Sequence, residues 1–314
     1  MTIVSDDPSW WLWIASWRIS SYFVVAASVG VTYDWALTCG QEVELIWRQR
    51  WSLMTALYLS VRYLGILFAF LNILINIPTI LLTDAVSWIL YITVNWMYVV
   101  LFPMLRIIMI VRLYAMYQQS RKMLIFLVVI FLANTILDVV VSIMSTRLTS
   151  GQELILSGTY VCATAYAGNI ILLNSITWIS ATVWEVLVLF LAVWISVKHF
   201  RELRQHSTGG VIEDCFAVLL KSHVFYFVSF VAVSCFNLMV LSPAISVNPN
   251  VIGLDFFYGT LQIMMVVQMF VLGPRLILGI RDFNAKLVTD SDAATAMTSI
   301  AFQERVHIST GSGV

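Results

Sequence analysis

The sequence predicts an all-α, polytopic membrane protein with a bundle of seven transmembrane helices. Three observations support this fold class. Hydrophobic residues make up 61% of the 314-residue chain and charged residues only 11%, well below the roughly 25% of a typical soluble domain. The apolar residues fall into long runs, each close to the roughly 20 residues that a helix needs to cross a bilayer. The basic residues cluster in alternate connections between these runs. We therefore expect the lipid bilayer to be the solvent of this chain.

Seven spans follow one another along the chain, with polar breaks between them. Their predicted limits are 12–36, 52–76, 86–111, 122–144, 169–197, 218–242 and 256–280. The runs are longer and more continuous than the roughly ten-residue alternating strands of a membrane barrel, so we predict helices. A short extracellular tail, 1–9, precedes the seven-helix domain, 10–288. The domain ends in a short amphipathic helix, and a disordered cytoplasmic tail, 289–314, follows.

The distribution of Lys and Arg predicts the orientation of the bundle. Thirteen of these seventeen residues lie on one side: Arg48, Arg50, Arg112, Arg121, Lys122, Lys198, Arg201, Arg204, Lys221, Arg275, Arg281, Lys286 and Arg305. Cytoplasmic loops of membrane proteins carry such an excess. We therefore expect the N-terminus outside and the C-terminus in the cytoplasm.

Several classes of site are excluded by composition. The net charge is zero, and no basic stripe lies outside the predicted cytoplasmic loops, so we expect no nucleic-acid partner. The four histidines do not gather with acidic residues at one depth, as a metal site would need. The predicted last span has no lysine that could hold retinal, and no phosphate loop or nucleophile elbow is present. We predict no metal, no cofactor and no catalytic constellation.

A set of short motifs in the first third of the chain carries a family resemblance. The motifs are Tyr-Asp-Trp-Ala-Leu-Thr at 33–38, Glu-Val-Glu-Leu-Ile-Trp at 42–47, Trp-Ser-Leu at 51–53, Arg-Tyr at 62–63 and Arg-Leu-Tyr-Ala-Met-Tyr at 112–117. The combination over about 33–63 resembles a family of uncharacterised fungal seven-span membrane proteins, defined by an N-terminal domain of unknown function. The topology is similar to that of G-protein-coupled receptors. This likeness implies a receptor-like role by fold analogy alone.

Five of the charged residues that fall inside the predicted spans form a candidate intramembrane network: Asp34, Arg62, Arg106, Asp138 and Glu185. A charge in a span costs roughly 2.5–3.5 kcal/mol on insertion scales, so such residues face the bundle and find partners. Arg62 and Glu185 lie near mid-depth, where a direct or water-mediated pair would neutralise both, with Asp138 as the rival partner of Arg62. The alternative is that each meets backbone carbonyls, hydroxyls or water separately. A contact from Asp34 to a basic residue of a neighbouring span would tie the cytoplasmic ends together, either as a switch or as a static staple.

Polar and aromatic residues in the predicted outer half indicate a small-molecule pocket. The candidate lining residues are Asn95, Trp96, Asn174, Trp178, Asn237 and Tyr258. Small-molecule sites combine apolar walls with a few polar groups in this way. Hydrogen bonding between helices is the alternative use of the same side chains.

These features together favour a receptor-like signalling protein of the plasma membrane, with a small-molecule ligand outside and a signalling partner at the basic cytoplasmic loops. A small-solute transporter is the main alternative, although no internal repeat is evident. A membrane-embedded enzyme is less well supported, because it needs acid, base or metal-binding residues at one depth.

Overall fold

The computed structural model describes residues 3–5, 7–48, 51–77, 83–117, 119–156, 159–166, 170–205, 228–229, 231–236, 239, 251–279 and 281–282. Within these residues, six helices are long and apolar enough to cross a membrane. The chain is therefore a multi-pass integral membrane protein with an almost entirely helical structure, as the sequence predicts. Most of the predicted sixth span, 218–242, lies outside the described residues, as does the predicted tail 289–314.

The helices run as follows: α1 Trp11–Glu42, α2 Leu53–Asn76, α3 Asp84–Met116, α4 Arg121–Leu148, α5 Ile170–Gln205 and α6 Val251–Val267. Two of them continue through a π-helical segment. The π-helical segment after α1 is Val43–Trp47. The segment after α6 is Gln268–Leu272, and α-helix resumes after it over 273–279. A π-helical turn is rare and is frequently found at functional sites. The predicted first span ended at residue 36, so α1 is longer than the apolar run alone indicated.

Local sequence explains where α2 begins. Ser52 is extended, and its side-chain oxygen accepts a hydrogen bond from the backbone N–H of Thr55 at 3.3 Å. A serine in this position satisfies one of the backbone donors that a helix leaves free at its first turn. The helix can therefore start at Leu53, six positions after the π-helical segment that follows α1 ends at Trp47. Such a short connection makes α1 and α2 antiparallel neighbours.

A three-stranded sheet lies at one end of the bundle, where only a loop was predicted. Its strands are β1 Ile3–Ser5, β2 Thr149–Leu156 and β3 Thr159–Tyr166. β1 pairs with β2 in parallel, and β2 pairs with β3 in antiparallel register from Thr149 opposite Tyr166 to Leu156 opposite Thr159. The β-branched and aromatic residues of this segment favour strands. We call this end of the bundle the sheet end. The opposite end carries Arg48, Arg121 and Lys122, and we call it the basic end.

Contacts between helices establish their directions. Near the sheet end, Ser16 donates a hydrogen bond to Asp255 at 2.6 Å. Near the basic end, Arg275 reaches Asp34 at 2.5 Å. Tyr117 donates to the backbone oxygen of Leu191 at 3.0 Å. Helices α1, α3, α5 and α6 therefore all run from the sheet end to the basic end.

The buried apolar side chains form two clusters. One joins α1, α2, α3 and α6 around Tyr58, Phe68 and Phe270, and the other joins α3, α4 and α5 around Leu113, Leu127 and Trp184. Large apolar side chains elsewhere on α1, α4 and α5 are exposed on the outer surface of the bundle. In a membrane protein such side chains face the lipid, so this surface needs no protein partner.

Candidate functional site

A buried cluster of charged and polar side chains surrounds Arg62 of α2. Its guanidinium contacts Asp34 through Nη1 at 2.6 Å and Glu42 through Nε at 2.8 Å. Nη2 donates to the hydroxyl of Thr38. The Arg62 and Glu42 side chains are each only 1% exposed, and Asp34 is 5% exposed. We call Asp34, Thr38, Glu42, Tyr58, Arg62 and Arg275 the arginine cluster.

This arrangement corrects the predicted partners of Arg62. Glu185 and Asp138 were the candidate partners predicted for Arg62, whereas the structure pairs it with Asp34 and Glu42 of α1. Glu42 was missed because the predicted first span ended at residue 36, although α1 continues beyond it. One feature of the sequence could have revealed the site: residues 34, 38 and 42 are spaced by four and so lie on one helix face.

The π-helical segment of α6 supplies a further ligand to Arg62. Nη1 also donates to the backbone oxygen of Phe270 at 3.3 Å. With Asp34, Glu42 and Thr38, this contact uses four of the five N–H donors of a guanidinium. Arg62 thus holds α1, α2 and α6 together at one point.

The π-helical segment of α1 is contacted in a similar way by an arginine from α6. Arg281 donates to the backbone oxygen of Leu45 at 2.9 Å and to the hydroxyl of Thr55 at 2.6 Å. Burial lowers the pKa of Arg281 from its ordinary value, but arginine stays protonated in proteins. Each irregular turn therefore has a backbone carbonyl bound to an arginine of another helix.

The charges of the arginine cluster balance. Asp34 and Glu42 face Arg62 and Arg275, and the Tyr58 hydroxyl donates to Glu42 Oε1 at 2.7 Å. Arg275 contacts Asp34 Oδ1 at 2.5 Å, yet its side chain is 52% exposed. Exposed ion pairs contribute only about 0–1 kcal/mol. Arg62 is therefore the fixed centre of the cluster, and Arg275 is the contact that can be released.

The remaining predicted charges lie elsewhere in the bundle. Arg106 of α3 pairs with Asp138 of α4 at 2.6 Å, and these side chains are 6% and 15% exposed. Glu185 of α5 accepts a hydrogen bond from Ser234 of the helical segment 231–236 and interacts electrostatically with Arg106. The predicted network is therefore two groups, one around Arg62 and one around Arg106.

A cavity of about 380 Å³ lies between α3, α4, α5 and α6 in the sheet half of the bundle. Arg106 and Asp138 line it together with four of the predicted pocket residues: Asn95, Trp96, Asn174 and Trp178. Tyr258 instead lines a second cavity of about 460 Å³. Asn237 lies outside the described residues. Volumes of this size are typical of small-molecule sites.

The two cavities share a wall, and this wall connects to the arginine cluster. Tyr98, Trp178, Gln262 and Met265 line both cavities. The ring of Tyr98 packs on Phe68 with centroids 5.0 Å apart, and Phe68 packs on Phe270 at 5.2 Å. Phe270 is the residue whose backbone oxygen binds Arg62.

A glycine on α2 permits this close packing. A Cβ placed on Gly65 would clash with the ring of Phe270. Only glycine lets the backbone of α2 approach the ring at this distance. Continuous contacts therefore run from the cavity wall to the arginine cluster.

Part of the chain matches a protein-family model. Residues 22–67 match a family of unknown function (DUF6533). No curated protein matches the chain significantly. The matched segment contains Asp34, Glu42 and Arg62, the three charged residues at the centre of the arginine cluster. The resemblance to an uncharacterised domain is confirmed over this segment, and the chain is an integral membrane protein that carries it.

Proposed function

We propose that this protein is a receptor-like signalling protein, in which a small molecule in the cavity changes the contacts of α6 at the basic end. The observation that carries this proposal is the double role of α6. Gln262 and Met265 line the cavity, and Phe270 takes part in the arginine cluster. Phe270 lies five positions after Met265, which is about 7.5 Å along an α-helix. The π-helical segment begins within this interval.

The proposed response is release of Arg275 from Asp34. A ligand shifts a conformational equilibrium only by its difference in affinity for the two states. An ion pair with a half-exposed arginine is weak enough for a small molecule to oppose, whereas Arg62 remains bound to α1. Movement would therefore be confined to the basic end of α6, where a signalling partner could bind.

The proposal includes seven spans, with the N-terminus outside and the basic end in the cytoplasm of a plasma-membrane protein. Because α5 and α6 run in the same direction, the intervening residues 206–250 have to return from the basic end to the sheet end. The predicted span 218–242 falls in this interval. Labelling of cysteines introduced near each terminus in intact cells tests this topology, and two termini on one side would contradict it.

The response at the basic end can be measured directly. Small molecules that raise the thermal stability of the purified protein would be selected from a panel. Spin labels on Arg48→Cys and Gly279→Cys, in a background without the native cysteines, would then report the distance between α1 and α6. We expect these compounds to change the distance, and Trp178→Ala to weaken the effect by damaging the cavity. Compounds that need Trp178 for binding but leave the distance unchanged would refute the receptor-like role.

A small-solute transporter is the second candidate, because two cavities share a wall of a few side chains. Rotation of Tyr98 and Trp178 would join the cavities into a longer route. Uptake of a bound compound into sealed proteoliposomes, abolished by Trp178→Ala, would favour this function over signalling.

A further inference from the structure

The polar lining of the cavity has an uneven balance of donors and acceptors. Thr146 of α4 donates its hydroxyl proton to the backbone oxygen of Ser142, and Thr149, the first residue of β2, donates to that of Ser145, each at 2.7 Å. A hydroxyl has one proton and two lone pairs. Each of these threonines therefore has only acceptor capacity left for a ligand.

The opposite walls repeat this pattern. Asn95 of α3 donates through Nδ2 to the backbone oxygen of Tyr91 at 3.1 Å. Thr177 of α5 donates to the backbone oxygen of Asn174 at 2.8 Å. What remains for a ligand is the hydroxyl oxygen of Thr177, and the amide oxygen of Asn95 with one N–H. The threonine hydroxyls thus offer acceptors whose protons are already used, and Asn95 adds a further acceptor on α3.

One atom of the lining has no partner. The buried Oγ of Ser145 makes no hydrogen bond with any described residue, and Ser145 lines the cavity. A buried polar atom without a partner carries a desolvation cost. A ligand that hydrogen bonds to Ser145 would remove this cost.

The charges of the cavity are already neutralised. Arg106 and Asp138 form an ion pair of 2.6 Å in which neither side chain is more than 15% exposed. A charged ligand would bring an unbalanced charge into a site of low polarity, which is unfavourable. The cavity therefore favours a ligand without net charge.

Aromatic rings form the apolar part of the lining. Tyr98 and Phe102 stack with centroids 6.0 Å apart and planes 22° apart, and Trp178 meets Phe102 edge-on at 6.4 Å. Flat aromatic surfaces bind flat apolar surfaces well. The wall thus matches a ligand with a planar apolar face.

We infer that the cavity binds an uncharged, hydroxyl-rich ring compound with one apolar face, such as a glycoside with an aromatic substituent. Its hydroxyl groups donate to the acceptors of α3, α4 and α5, and its apolar face packs on Tyr98, Phe102 and Trp178. This inference rests on the proposed function, because it names the ligand class for the same cavity. A soluble glycoside and the sugar headgroup of a glycolipid share this chemistry.

Five related probes test the inference on the full-length protein in nanodiscs by calorimetry. Phenyl glucoside should bind more tightly than glucose, because only the former has the aromatic ring. Fully O-methylated phenyl glucoside keeps the shape but has no donor, so we expect its binding to be lost. Glucosamine, which is cationic at neutral pH, should bind about tenfold more weakly than glucose. An octyl glucoside arm, measured below its micelle concentration, separates the two sources: tighter binding than phenyl glucoside would indicate a glycolipid.

Variants locate the binding site. Thr146→Val and Thr149→Val keep the side-chain shape and remove an acceptor, so each should weaken phenyl glucoside binding about fivefold, as expected for one hydrogen bond. Thr135→Val is the matched control, since Thr135 of α4 also donates to its own helix, at 2.8 Å to the backbone oxygen of Phe131, but does not line the cavity. Three results would overturn the inference. The methylated probe could bind as tightly as phenyl glucoside, Thr135→Val could weaken binding as much as Thr146→Val does, or no probe could bind at all.

The outcomes for the two proposals are separable. Binding that follows the expected probe order, without a change in the distance between α1 and α6, would support the ligand class and refute the receptor-like role. A change in that distance caused only by compounds without hydrogen-bond donors would support the receptor-like role and refute the ligand class.

Discussion

Replacement of Arg62 by methionine is expected to destabilise the bundle severely. Methionine keeps an unbranched side chain of similar length but removes every contact to Asp34 and Glu42, at 2.6 and 2.8 Å. Removal of one partner from a buried ion pair costs about 3–5 kcal/mol, because the other charge stays buried. Asp34 keeps its contact with Arg275, whereas Glu42 keeps the hydrogen bond from Tyr58. Since these groups are at most 5% exposed, no reduction for solvent screening applies, and we expect a loss in this range.

The free energy of unfolding can be measured by titration with sodium dodecyl sulfate in mixed micelles, followed by fluorescence of the 12 tryptophans. Arg147→Met is the matched control, because Arg147 is exposed at the end of α4, and it should change stability by less than about 0.5 kcal/mol. Addition of Glu42→Gln to Arg62→Met should recover part of the loss, since it removes the stranded charge. An Arg62→Met protein within about 1 kcal/mol of wild type, or no recovery by Glu42→Gln, would refute the reasoning.

Three further substitutions are expected to differ sharply in the same unfolding assay. Arg275→Ala should cost only about 0–1 kcal/mol, because Arg275 is half-exposed and Asp34 keeps its contact with Arg62; a loss above 2 kcal/mol would show that this contact cannot act as the releasable one. Gly65→Ala should cost about 1–3 kcal/mol by forcing α2 away from Phe270, whereas Gly30→Ala, which meets no atom within 4 Å, should be neutral or stabilising by up to about 1 kcal/mol. Equal effects of the two glycine substitutions would contradict the packing argument. Tyr58→Phe should cost about 1.5–3 kcal/mol through loss of a hydrogen bond to a carboxylate, and a neutral result would indicate that Glu42 does not need this donor.

The bundle was largely predictable because each apolar run has to cross the lipid by itself. Six of the seven predicted spans coincide with helices of the structure. The ends were less predictable, and α1 shows why. Its last turns carry Thr38 and Glu42, which reduce the apolar character of the run, yet the helix continues because Arg62 of another helix neutralises Glu42 and donates a hydrogen bond to Thr38. The sheet was missed for a similar reason, since β1 and β2 lie about 150 residues apart and pair only in the folded protein.

The candidate pocket was partly predictable. Aromatic and polar residues at the sheet half indicated a small-molecule site, and Asn95, Trp96, Asn174 and Trp178 line one cavity. Tyr258 lines the other cavity together with Gln262, which lies one turn later on α6 and borders both cavities. Depth can be counted along the sequence, but the direction in which a side chain points around the bundle axis depends on the rotation of each helix.

Composition and the positions of Lys and Arg determined by themselves that this chain spans a membrane as helices, because burial of so many apolar groups requires lipid. They also determined that Arg62, Arg106, Asp138 and Glu185 need partners. Which partners they have was decided only by the tertiary structure. Arg62 lies against α1 and α6, and Arg106 lies against α4. These contacts depend on the rotation of each helix, on the two π-helical segments and on the close approach at Gly65. Such contacts depend on distances of a few ångströms between helices, which a linear sequence of apolar runs does not specify.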